Sequence, residues 1–231
     1  MSATAAEVQT VVAARGLAGK RSCFIGVGRP STAAILARMV HNPELVLVYE
    51  SGTIGAKPHR VPLSIGDGEL AETADAVVSV PEIFNYWIQP GRIQVAFLGA
   101  AQVDRHGNLN STVIGDYEHP RTRLPGAGGA PEIAIGCPEV VVIAPHSTRT
   151  FVSGLDFLTT SGAHTTSVIT DLCVLEPCAG ELTLTAVHPG VAVDDVLAAT
   201  GWDLRVADTV AVTGEPTSGE LAALRELVAR G

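Results

Sequence analysis

The run Leu45-Val46-Leu47-Val48-Tyr49-Glu50-Ser51-Gly52 delivers one carboxylate from the end of an apolar stretch straight into a glycine-bearing turn. That is where α/β enzymes keep their chemistry, since ligands of such folds gather beyond the carboxyl ends of strands. Ser51 carries a hydroxyl that either orients Glu50 or bonds nearby backbone. Gly26-Val27-Gly28-Arg29-Pro30 suggests a second ligand turn, yet it lacks the third glycine of a dinucleotide fingerprint and Pro30 has no amide to give a phosphate. A tight turn shaping the floor of some other pocket is the better reading. In Arg121-Thr122-Arg123-Leu124-Pro125-Gly126-Ala127-Gly128-Gly129-Ala130, positions without side chains let backbone N–H groups approach a ligand, as an oxyanion hole or phosphate nest requires. A flexible surface loop is the equal alternative. Between these stretches, Asp104 to Gly107 reads as a turn with His106 exposed in it, and Asn108 and Asn110 either tie down loop backbone or face a ligand.

Elements with the right periods surround these positions. An amphipathic helix is expected over about Ala5 to Leu17, a strand over Arg21 to Ile25, and a helix N-capped by Ser31 that ends near Asn42-Pro43. The Glu50 strand follows. Residues 57–72, with Pro58, Pro62, Gly66 and Gly68, suit a loop. Phe84, Tyr86 and Trp87 suit a core-facing helical turn. Val95 to Ala100, Val140 to Ala144, Val168 to Leu175 and Leu182 to Val187 read as strands, the last two as a hairpin around Pro177 to Gly180. Helices over Asp194 to Thr200 and Gly219 to Ala229 close the chain, the second with Leu221, Leu224, Leu227 and Val228 as its apolar face. Alternating strands and helices predict an α/β fold, an open, mostly parallel sheet flanked by helices, with residues 1–231 forming a single domain.

Composition narrows the partners. The 231 residues are 46% hydrophobic, enough for a substantial core, and carry a formal net charge of −9. That balance argues against nucleic acid and anionic membranes, which need a basic footprint. The basic groups Lys57, His59, Arg60, Arg121 and Arg123 read as solvated surface or as local contacts to a small polyanion. Cys23, Cys137, Cys173 and Cys178 lack C-x-x-C spacing, so buried reduced thiols are expected rather than a disulfide or zinc site. No apolar run approaches the roughly 20 residues of a membrane span and no signal-peptide pattern opens the chain, which predicts a cytoplasmic protein.

The order of motifs resembles the β subunit of family I coenzyme A-transferases, most closely the glutaconate CoA-transferase type. The stretches that carry the resemblance are Gly26 to Pro30, Val48 to Gly52, Phe97 to Asp104, Gly107 to Thr112, Ile114 to Tyr117, His119 to Arg123, Gly126 to Ala130, His188 to Gly190, Asp195 to Leu197 and Thr200 to Leu204. The Glu-Ser-Gly element corresponds to the family's catalytic-glutamate motif, so the resemblance assigns the nucleophile to Glu50, with Ser51 beside it. It implies an open α/β fold and an α-subunit partner that completes the site, in an α2β2 assembly or a multiple of it. The Gly-Gly-Phe element of the α subunit is missing from this chain. On that basis Gly26, Gly28, Gly52, Gln102, Asn108, Gly126, Gly128 and Gly129 are candidates for binding substrate or coenzyme A, or for stabilising an oxyanion. No metal or redox cofactor is expected beyond coenzyme A as co-substrate.

The implied activity is movement of coenzyme A between an acyl-CoA and a free carboxylic acid through a glutamyl-CoA thioester. A thioester or carbon–carbon bond hydrolase or lyase on the same scaffold is the alternative, although relatives with those activities replace the glutamate, which is retained here. A non-catalytic ligand-binding module is the remaining one. Arg29 and the segment Thr53-Ile54-Gly55-Ala56 depart from the glutaconate type, so the resemblance leaves the acyl group open.

Overall fold

The computed structural model describes residues 2–26 and 28–230, which form two compact units. The first comprises residues 2–98, 136–138 and 215–230. It contains α1 (Ala5–Arg15), β1 (Ser22–Ile25), α2 (Arg29–Val40), β2 (Val46–Tyr49), β3 (Thr53–Ile54), α3 (Gly68–Glu72), β4 (Ala76–Val77), α4 (Val80–Glu82), a π-helical turn (Ile83–Ile88) and β5 (Val95–Leu98). The second contains β6 (Gln102–Val103), β7 (Leu109–Asn110), β8 (Val113–Gly115), β9 (Pro120–Arg123), α5 (Ala130–Gly136), β10 (Glu139–Ile143) and β11 (Thr165–Ile169). It continues through β12 (Cys173–Cys178), β13 (Glu181–Val187), α6 (Val193–Ala198) and β14 (Arg205–Val212) before α7 (Ser218–Ala229) returns to the first unit.

In the first unit the strand order is β5-β1-β2-β3-β4. The parallel strands lie in flush register, Ile25 pairing with both Tyr49 and Phe97, so β1, β2 and β5 end side by side. β3 and β4 extend this sheet antiparallel, through Val48 opposite Ile54 and Thr53 opposite Val77. The apolar run that suggested a doubly covered strand is one: Leu47, Val48 and Tyr49 are all buried. Helices α1, α2 and α7 pack against one another.

Caps join these helices as well as ending them. Thr4 and Glu7 form a capping box on α1, and Arg225 of α7 donates to Glu7 at 2.7 Å. Thr217 and Glu220 form the matching box on α7. The Glu220 carboxylate, 3% exposed, also receives two hydrogen bonds of 2.7 Å from Arg15 at the end of α1.

Helix α2 begins earlier than its serine implied. Gly28 is the N-cap at φ +80°, and Arg29 and Pro30 occupy the first turn, where a proline's missing N–H costs nothing. Ser31 is therefore not a cap. Its buried hydroxyl lies 3.0 Å from that of Tyr49, tying the helix to the end of β2. The aromatic turn also differs from expectation: Ile83 and Ile88 enter the core, while Tyr86 stays 61% exposed. On α7 the core face is Leu224 and Leu227, and Val228 is exposed.

The second unit has the order β10-β11-β12-β13-β14, with β10–β11 and β13–β14 parallel and the central pairs antiparallel. The stretch Val168 to Leu175, expected as one strand, belongs to two. The Thr170 hydroxyl accepts from the amides of Leu172 and Cys173 at 3.1 and 2.9 Å and reverses the chain. The β12–β13 hairpin is present, with Ala179 and Gly180 at its tip in positive φ, and this leaves Cys178 exposed, unlike the three buried cysteines. β14 escaped the sequence reading because its residues are mostly exposed and show no clean alternation. Among the described residues, no helix is long and apolar enough to cross a membrane.

Glu220 gives this architecture a pH dependence. The Arg15 guanidinium, helped by the Thr217 amide, lowers its carboxyl from 4.5 to about 2. A depressed folded-state value stabilises fully above the unfolded value and is lost as pH falls towards the folded one, here between about pH 4.5 and pH 2. Glu220→Gln is expected to cost about 3 kcal/mol at pH 7, and the deficit should shrink as pH drops through that window. Equilibrium denaturation of both proteins from pH 7 to pH 3 measures it.

Candidate active site

Glu50 and Ser51 are the two central residues of a β-turn closed by the Gly52 amide donating to the Tyr49 carbonyl at 3.0 Å. The turn sits at the carboxyl end of β2, beside the ends of β1 and β5. Gly52 takes φ +104°, and a Cβ there would lie 2.0 Å from the Val78 carbonyl oxygen, so only glycine fits. Val78 in turn donates to the Gly52 carbonyl at 2.9 Å. Tyr49 anchors the other side: it is buried, bonded to Ser31, and its phenol is pushed up by burial.

Glu50 is partly exposed and, among the described residues, its carboxylate meets no hydrogen-bond donor or cation. That distinguishes it from Glu7 and Glu220, whose carboxylates carry structural load. Close by in sequence, the Ser51 and Thr53 hydroxyl oxygens are buried without a partner. Buried polar atoms are normally satisfied, so the two orphans flanking Gly52 depart from the rule. The Gly26 turn follows Ile25, which is paired with Tyr49, and so borders the same sheet end; Val27 lies outside the described residues. Gly28 is exposed with φ +80° and open space where a Cβ would be. Arg29 donates to the Gln9 side chain at 2.7 Å.

The remaining candidates lie in the second unit. Asn108 is committed to its own turn: it donates to Asp104 at 2.9 Å and accepts from the Gly162 amide at 2.8 Å. That is the loop-tying role. His106 is exposed, with Nδ1 2.9 Å from the Gly180 carbonyl. Gln102 is buried, its oxygen accepting from Asn110 at 2.7 Å and from the Asp156 amide at 3.0 Å, its nitrogen donating to Asp156 at 3.0 Å. Arg123 stacks over the Tyr117 ring at 4.7 Å and Lys57 pairs with Asp75, so both basic groups are engaged locally.

In the glycine-rich loop, Gly126 does not offer its amide to a ligand: that N–H donates to the Ser111 carbonyl at 2.8 Å, held there by φ +101°. This corrects its place among the oxyanion candidates. The amides of Ala127, Gly128 and Gly129 donate to no acceptor among the described residues, although Gly129 is buried. Gly128 has φ +49°. Asn110 takes the loop-tying role offered for it, whereas sequence reasoning did not identify Ser111 or Asp156, because the spacing of polar residues along a chain does not show which pair across a fold.

Comparison with known proteins identifies the family. The profile of the family described as coenzyme A transferase matches residues 7–199. The β subunit of 3-oxoadipate CoA-transferase from Pseudomonas knackmussii is 55% identical, over 97% of this chain and 93% of its own. The β subunit of glutaconate CoA-transferase from Acidaminococcus fermentans is 30% identical over 97% and 92%. The crystal structure of the latter enzyme superposes with a TM-score of 0.91, covering 98% of this chain and 95% of that one. The decarboxylase AibA/AibB superposes at 0.89 with 28% identity, covering 99% and 96%. The chain therefore belongs to the coenzyme A transferase family, among the β subunits of its family I enzymes.

Proposed function

We propose that this chain is the β subunit of a heteromeric transferase that passes coenzyme A between an acyl-CoA and a free dicarboxylic acid of the 3-oxoadipate class, with Glu50 as nucleophile. The observation that carries the reading is the free Glu50 carboxylate, held on a turn that only glycine can close and bordered by two unpartnered hydroxyls. The 55% identity to a 3-oxoadipate enzyme over nearly the whole chain supports the acyl class.

The chemistry runs in balanced steps. Glu50 attacks the donor thioester carbonyl and expels coenzyme A as thiolate, leaving a mixed anhydride. The thiolate attacks the glutamyl carbonyl, forming a glutamyl thioester and releasing the donor acid. An acceptor carboxylate then displaces the thiolate to give a second anhydride, and the returning thiolate yields the new acyl-CoA and free Glu50. No metal or electron carrier enters these steps.

A carboxylate is a weak nucleophile towards a thioester, so distant contacts to coenzyme A must hold the reactants in place. The Ser51 hydroxyl orients Glu50. In the first unit the Gly26 and Gly28 turn is the substrate contact that borders Glu50; in the second unit the amides of Ala127, Gly128 and Gly129 are the donors suited to an anionic oxygen. We place the assembly, an α2β2 complex or a multiple of it with an α subunit, in the cytoplasm with the acyl-CoA pool. The 231 residues act as one functional subunit.

Incubated with acyl-CoA alone, the reconstituted complex should retain coenzyme A on the peptide that contains Tyr49-Glu50-Ser51, read by mass spectrometry. Glu50→Gln should remove that adduct and lower kcat by roughly three orders of magnitude or more while the complex still assembles. Full transfer activity in a Gln variant checked for deamidation rules out Glu50 as the nucleophile. Gly128→Val forces a β-branched residue to φ +49° and should lower kcat about 100-fold without loss of assembly. Wild-type kinetics in that variant make the loop a surface feature.

A further inference from the structure

A chain of side-chain hydrogen bonds runs behind the glycine-rich loop and ends on it. Asp156 accepts from Gln102 and from the Gly115 amide, each at 3.0 Å. Gln102 accepts from Asn110 at 2.7 Å. Asn110 is fully buried and fully satisfied: its nitrogen also donates to the Val113 carbonyl at 2.7 Å, and its oxygen accepts from the amides of Thr112 and Val113 at 3.0 and 3.3 Å. A residue so completely bonded has one orientation available, and the backbone that follows it is fixed with it.

The next residue is Ser111. Its amide donates to the Thr159 hydroxyl at 3.0 Å, its carbonyl accepts from the Gly126 amide at 2.8 Å, and its hydroxyl donates to the Gly126 carbonyl at 2.9 Å. Both polar groups of the Gly126 backbone are thereby gripped by one residue. The peptide plane that begins at the Gly126 carbonyl carries the Ala127 amide, the first of three amides without a protein acceptor among the described residues. With side-chain-free positions at Gly126, Gly128 and Gly129, nothing within the loop sets that plane.

We propose that Ser111 is a positioning residue for the transfer reaction, setting through its hydroxyl the direction in which the amides of Ala127, Gly128 and Gly129 point, with Asn110, Gln102 and Asp156 as its support. The proposal rests on the substrate-binding reading of this loop and gives Gln102 a supporting role instead of a substrate contact. The amides meet the substrate oxygen that gains charge during acyl transfer, so misdirecting them weakens transition-state stabilisation and leaves ground-state binding of acyl-CoA intact.

The test is a double-mutant cycle on the reconstituted complex. Ser111→Ala keeps the Gly126 amide bond but removes the hydroxyl, and should lower kcat about tenfold with KM for acyl-CoA within about twofold of wild type and assembly unchanged. Ser111→Thr restores the hydroxyl and should recover most of that loss. In a Gly128→Val background, where the loop is already displaced, Ser111→Ala should cost less than about twofold. Wild-type kcat in Ser111→Ala, a loss that Ser111→Thr does not recover, or a full tenfold loss in the Gly128→Val background each overturns the proposal. Mass analysis of wild type for the Glu50 adduct separates the two readings: transfer without an adduct defeats the nucleophile assignment and leaves the cycle's result on Ser111 standing.

Discussion

The approach of the Val78 carbonyl to Gly52 is the constraint on which the rest of the site depends. A hydrogen atom fits between them and a methyl group does not, since a Cβ would sit 2.0 Å from that oxygen. This contact lets β4 pair with β3 immediately after the Glu50 turn, with the Val78 amide bonded to the Gly52 carbonyl. The turn is thus fastened at one end by backbone pairing and at the other by buried Tyr49 and its bond to Ser31. Glu50 is held in place without the aid of its own carboxylate, which stays unpaired among the described residues. Glycine adopts the φ of +104° at Gly52 without the steric penalty that a side chain would bring.

Polar groups in this protein divide into those that bear load and those left open. Glu220 caps α7 and pairs with Arg15, and Glu7 does the same for α1 with Arg225. In the second unit, His146 is buried between the Thr170 and Thr200 hydroxyls at 3.1 and 3.0 Å and stacks on Phe151. Burial brings its imidazole down to about 4, so it is neutral at physiological pH, and Cys173 beside it is raised to about 12. A neutral imidazole and a protonated thiol make structural bonds, not a nucleophile. The Ser51 and Thr53 hydroxyls and the amides of Ala127 to Gly129 have no such duty.

Shared architecture does not determine which reaction such a scaffold performs. A transferase and a decarboxylase superpose on this chain almost equally well. What separates reactions on one fold is the chemistry of the groups grafted on it, not the arrangement of its strands. The residue type at the Glu50 position is therefore more informative about chemistry than the strands that carry it.

Much of this was legible in the order of residues. A carboxylate after a continuous apolar run marks a strand end in a covered sheet, and the helices α1 and α7 follow from their apolar spacing, because strand and helix periods are local properties; the capping boxes of Thr4 with Glu7 and Thr217 with Glu220 emerged with the structure. Resemblance of the motif order supplied the family, which the matches to known proteins bear out. Other features depended on contacts across the fold. Ser31 has the residue type of a cap, yet tertiary packing sends its hydroxyl to Tyr49. Thr170 divides an apolar run into two strands by accepting two amides, and Tyr86 is left in solvent while isoleucines take the core. The partners of Gln102, Asn110 and Ser111 are separated from them by up to 54 residues. Glycine composition revealed a loop that could approach a ligand, but which of its amides are free was decided only when the fold brought Ser111 against Gly126, since a hydrogen bond is a fact of distance and direction that chain order does not contain.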